Sequence, residues 1–119
     1  AHFGLGQWMA ICQRSIFELI YTLGPEALDF LKDIAFGEYD WTQALALETL
    51  CRLGVDGTID ATIFDEIDQR LSGMRYEAHL YFASDMLARA RRDIRFFDVL
   101  ESFNDPDFQE ALLEILEEE

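Results

Sequence analysis

Apart from its many carboxylates, few residues in this chain have the chemistry of a ligand, base or nucleophile, so each can be weighed in turn. There are two histidines. His2 lies at the start of the sequence. His79 stands beside Leu80 and three residues before Phe82, the setting of a histidine satisfied inside a core. No cysteine or second histidine stands at metal-ligand spacing from it, so no metal is expected. The segment Asp56-Gly57-Thr58-Ile59-Asp60 imitates part of a calcium loop. With Gly57 as the central glycine, the first, third and last ligand positions fall on Arg52, Gly54 and Ile63, and none of these side chains offers an oxygen. The segment therefore reads as a turn, with Gly57 at positive φ and Asp60 capping the next helix. No glycine-rich phosphate loop, nucleophile elbow or Ser/His/Asp pattern is present. Paired carboxylates are plentiful, but an acid/base dyad needs a dry pocket as well. The expectation is a non-enzyme without a cofactor.

Charge offers more than catalysis does. Arg89, Arg91, Arg92 and Arg95 place four of the nine basic residues in one short stretch. An anion clamp is one reading. The simpler one is positive charge complementing a helix C-terminus, with Asp85 and Arg89 at ion-pair spacing. Acidic residues form a longer pattern. Glu77, Tyr81, Ser84 and Asp85 share one helix face, and thirty-three residues later stand Glu110, Glu114, Glu117 and Glu118. Thirty-three residues earlier stand Ala44, Glu48, Cys51 and Arg52. If those helices stack in register, Glu48, Tyr81 and Glu114 line one groove. Glu77, Asp85, Glu110 and Glu117 then lie beside them. A tyrosine among carboxylates has the composition of an interaction hot spot.

The whole-chain balance agrees. The 119 residues carry 9 basic and 24 acidic side chains, for a net charge of −15 and a pI near 4.2. That excludes direct binding to nucleic acid or an anionic membrane, both of which need a basic footprint. No apolar run has the length of a membrane span, and no signal-peptide pattern opens the sequence. Half of the residues are hydrophobic, enough for a core in one domain. Cys12 and Cys51 fall at apolar helical positions and read as reduced core thiols of a cytoplasmic protein.

Seven helices must position these residues, at about 6–23, 25–36, 40–54, 60–71, 75–92, 94–103 and 106–118. Pro25 and Pro106 sit where first helical turns take proline. Gly24 and Gly54 read as left-handed stops, and Asp40, Asp60 and Asp105 as N-caps. A shift of 33 residues aligns Phe30, Ile63 and Phe96, and likewise Leu31, Phe64 and Phe97, and Ile34, Ile67 and Leu100. The same shift aligns Leu45, Ala78 and Ala111, then Leu47, Leu80 and Leu113, then Leu50, Ala83 and Leu116, and also Trp8 with Trp41. The fold class expected is all-α, a short right-handed α-solenoid. It would hold a capping helix at 1–24 and helical hairpins at 25–57, 58–92 and 93–119.

The stretch from Asp40 to Gly54, Asp-Trp-Thr-Gln-Ala-Leu-Ala-Leu-Glu-Thr-Leu-Cys-Arg-Leu-Gly, resembles the second helix of HEAT and armadillo-like repeats. Asn104-Asp105-Pro106-Asp107 keeps the Asp-Pro turn, whereas Leu71-Ser72-Gly73-Met74 does not, and Thr42-Gln43 replaces the usual Val-Arg pair. Ankyrin shares the period but its Thr-Pro-Leu-His turn is missing, and tetratricopeptide repeats have a similar length. The resemblance implies a superhelix that binds other proteins on the face of its second helices. With the charge, it implies capture of a basic protein partner. The most concrete form is an immunity protein that neutralises a bacterial nuclease toxin. The alternative is a HEAT-type scaffold or adaptor segment of a larger assembly. The apolar first helix, around Trp8, Met9, Ile11, Phe17 and Ile20, suits a capping role or a homodimer contact.

Overall fold

Helix ends fall where the backbone needs a stop or a cap. A computed structural model describes residues 5–38 and 42–118, with side chains described from Ile11 onward. Asp40, Trp41, His2 and Glu119, and the side chains of Trp8 and Met9, lie outside that description. The elements are α1 (Leu5–Thr22), a 3-10 turn (Gly24–Ala27), α2 (Leu28–Ala35), α3 (Gln43–Val55), α4 (Thr62–Leu71), α5 (Tyr76–Ala90), α6 (Arg95–Ser102) and α7 (Pro106–Glu117). No strand occurs among the described residues. Gly24 and Gly57 take positive φ, 64° and 75°, and turn the chain after α1 and after α3. The Asp105 carboxylate accepts the Phe108 N–H at 3.0 Å and so caps α7 in front of Pro106. Asp60 accepts the Thr62 N–H at 2.9 Å. Pro25 departs from expectation, since it lies in the 3-10 turn and α2 begins only at Leu28.

The helix α3 is the centre of the molecule. Every residue from Gln43 to Gly54 except Arg52 is buried. Its Ala-Leu-Ala-Leu run has no polar stripe, so it is stable only with neighbours on all sides. Those neighbours are α1, α2, α4, α5 and, more lightly, α6. The helix α2 packs against α3. Farther along, α4 packs on α3, α6 on α5 and lightly on α3, and α7 on α5. The α5–α7 seam is filled by Phe82, Phe103 and Phe108, with ring centroids 5.3–6.0 Å apart. Two glutamines tie helix entrances to the ends before them. Gln43 Nε2 donates to the Ala35 carbonyl at 2.9 Å, and Gln109 Nε2 donates to the Phe103 carbonyl at 2.7 Å and the Leu100 carbonyl at 3.0 Å.

Gly54 corrects an expectation. It lies inside α3 and has no positive φ. A Cβ there would stand 2.8 Å from Phe64 Cζ and 2.9 Å from Ile63 Cγ2, so glycine is what lets α4 close on α3. Gly54→Ala should lower stability by about 1–3 kcal/mol through overpacking. Gly73→Ala, whose Cβ meets nothing nearer than 3.8 Å, should not. Urea unfolding of the two variants beside the parent checks this, and equal midpoints for both would contradict it.

Candidate functional site

From Phe96 to Glu119 the sequence contains no lysine or arginine. The helix α7 lies wholly within this base-free stretch. Glu110, Leu113, Glu114 and Glu117 follow one another at i, i+3, i+4 and i+7, and all four are exposed. On the neighbouring helix α5, Glu77 and Tyr81 are exposed as well. A direct bond joins the two helices across this face, where Tyr76 Oη donates to Glu114 Oε2 at 2.5 Å. That bond, with the nearby charges of Glu114, Glu110 and Asp107, pushes the Tyr76 phenol up to about 12. The tyrosine seated in the carboxylate array is thus Tyr76, where the stripe argument favours Tyr81. Asp107, at the second position of α7, also belongs to the array. Both stand just before the stripe, which begins at Glu77 and Glu110.

Two residues of the expected groove stand elsewhere. Glu48 is buried, because α1 and α5 cover the face of α3 that carries it. Its Oε1 accepts from Arg89 Nε at 3.0 Å and lies 4.0 Å from Arg52 Nε. Both arginines are shared with Glu18, Arg52 Nη1 at 2.8 Å and Arg89 Nη2 at 3.6 Å. Arg52 also stacks on Tyr21, 3.8 Å from the ring centre. Asp85 is half-buried and faces Arg14 at 3.6 Å, where its spacing in sequence suggested Arg89. The arginine run is likewise divided. Arg89 and Arg92 line a recess of about 210 Å³ with Arg14, Glu18, Glu48 and Arg52, whereas Arg95 holds Asp93 at 2.6 Å and Asp56 at 3.2 Å. This cluster holds helices together: three helices each supply charge, and opposite signs alternate.

Burial pushes the Glu48 carboxyl above its ordinary range, against the pull of Arg89 and Arg52. The shift survives because those guanidiniums are divided between two glutamates. Burial raises Asp85 in the same way, opposed by Arg14. A raised acid binds more protons in the folded chain than in the unfolded one. Its contribution is therefore present at low pH and is lost as pH rises through the window above the ordinary carboxylate value. Glu48→Gln should flatten the decline in stability from that window towards neutral pH. Urea unfolding at successive pH values reads the slope, and an unchanged slope would contradict the assignment.

Cys51 is fully buried, and burial holds its thiol well above the ordinary range, so it is no nucleophile. Cys12 is half-buried and also free. One polar group in the seam stands apart. His79 is fully buried, and neither ring nitrogen has a hydrogen-bond partner among the described residues. Leaving such a group unpaired costs about 1–3 kcal/mol. The histidine expected to be satisfied in the core is not satisfied by any hydrogen bond. No helix of the described residues is long and apolar enough to cross a membrane. No family model, no curated protein and no solved structure matches this chain.

Proposed function

We propose that the chain is a non-catalytic binding protein that captures a basic protein partner on the α5–α7 face. One observation carries this reading: an exposed carboxylate array around Tyr76 draws on a stretch of sequence without a single lysine or arginine. Exposed carboxylates lose little hydration before contact, and a net charge of −15 draws a cationic surface in and orients it. Leu113 and Leu116, 58% and 45% exposed, add apolar area on the outer side of α7. Nuclease active sites are basic because they hold phosphates, and a row of carboxylates imitates that charge pattern. The most concrete form is therefore an immunity-type protein that covers the active site of a nuclease toxin. The test is titration of cationic nuclease domains with the chain, reading nuclease activity. Stoichiometric one-to-one inhibition supports the reading, and full activity at saturating chain rejects it.

A second reading, a segment of a HEAT-like scaffold, is favoured by the two capping glutamines. Gln43 and Gln109 stand 109 − 43 = 66 residues apart, two periods of 33, and perform the same task. On this reading Ile16, Leu19 and Leu23, 52–68% exposed on and just after α1, receive a further helical element or a second copy of the chain.

A further inference from the structure

The geometry points to a divalent transition-metal site of the zinc type, held by His79 of α5 with Asp105 and Asp107 at the start of α7. His79 is fully buried with both ring nitrogens unpartnered among the described residues, and its Nε2 points to the Asp105 carboxylate, 3.8 Å from Oδ2. One ligand atom each from His79, Asp105 and Asp107 lies within 4.8 Å of the others. A hydrogen bond between imidazole and carboxylate needs about 2.7–3.2 Å, so this pair is too far apart for one. A zinc ion lies about 2 Å from each ligand and sets tetrahedral neighbours about 3.3 Å apart, so ligand atoms that now lie within 4.8 Å of one another would draw in around it.

The local sequence explains the arrangement. Asp105 is already held as the N-cap of α7 through the Phe108 N–H, and Pro106 fixes the turn between the two carboxylates. Asp105 is buried and Asp107 exposed, so the site is fixed on its inner side and open to solvent on the other. The Phe108 ring stands edge-on to His79 with centroids 6.4 Å apart, which lines the inner side with hydrocarbon. One imidazole nitrogen with two carboxylate oxygens suits zinc, manganese or iron(II), whereas calcium calls for at least six oxygens. Three protein ligands leave room for water in the remaining positions. A cation here joins α5 to α7 directly above the Phe82–Phe103–Phe108 cluster. The site shares Asp107 with the carboxylate array but uses none of Tyr76, Glu77, Glu110 or Glu114, so loss of zinc binding and loss of partner capture can be told apart.

The experiment is calorimetric titration of the EDTA-stripped chain with zinc chloride, with thermal melting in parallel. One equivalent should bind and raise the melting midpoint. Asp107→Asn should weaken binding tenfold or more while moving the metal-free midpoint only slightly, because Asp107 is exposed and gives up only a first-turn charge. His79→Ala removes a core side chain and can unfold the chain, so the cobalt(II) derivative serves as the second readout. Its visible bands should indicate four or five ligands and should be lost in Asp107→Asn. Glu114→Gln should bind zinc like the parent. Absence of saturable binding would overturn the site. So would an equal loss in Asp107→Asn and Glu114→Gln, which would assign the ion to the acidic surface at large.

Discussion

Phe82→Ala is expected to lower the stability of the chain by about 3–5 kcal/mol, the largest single effect among these predictions. Phe82 is fully buried in α5, and its ring packs against Phe103 at 6.0 Å and Phe108 at 5.3 Å between centroids. Removing it opens a cavity in the seam that holds α7, since α5 is the only helix with which α7 has extensive contact among the described residues. A domain of this size has about 6–18 kcal/mol in all, so the variant loses a large share of it. Urea unfolding should show a lower midpoint with a similar slope. Leu113→Ala, on the outer side of the same helix, should stay within about 0.5 kcal/mol of the parent. A loss below about 1 kcal/mol for Phe82→Ala would mean that α7 is held by something other than this cluster.

The second large effect is on binding. Reversing Glu77 and Glu114 to lysine together changes the net charge from −15 to −11 and puts two cations on the partner face. Capture of a basic nuclease domain should weaken at least tenfold, about 1.4 kcal/mol, with most of the change in the association rate. Glu48→Gln serves as the contrast. Its side chain is inside, bonded to Arg89, so affinity for the partner should stay within about twofold even though stability shifts. If Glu48→Gln weakened capture as much as the double reversal, the face would have to run over α3 after all.

Local signals carried most of what could be read in advance. Seven helices, the turns at Gly24 and Gly57 and the cap at Asp105 each depend on a few adjacent residues, and apart from the late start of α2 they stand where expected. Burial depends on distant segments and was harder to read. The 33-residue stripe puts one face of α3 at the surface, yet Ala44, Leu45, Ala46 and Leu47 are all buried, and a helix apolar on every side is an interior one. Taking that signal at its word would have moved Glu48 inwards and asked which arginine meets it. Arg89 lies forty-one residues away, and no spacing rule reaches that far. Gly54 shows the same limit, since a glycine near a helix end serves equally as a stop or as a contact point. His79 was legible as a core residue, but its carboxylate neighbours come from the next turn but one. In a chain with 24 acids, no particular pair stood out.

The central claim is that the outward carboxylates of α5 and α7 steer a cationic protein into place. Stopped-flow association with a cationic nuclease domain, measured from about 0.01 M to about 1 M salt, tests it most directly, because the screening length falls from about 30 Å to about 3 Å over that range. The association rate of the parent should drop by about tenfold or more while dissociation changes little, and the Glu77→Lys/Glu114→Lys double variant should start slow and respond weakly. A rate that ignores salt, or that is the same for both proteins, would contradict the account.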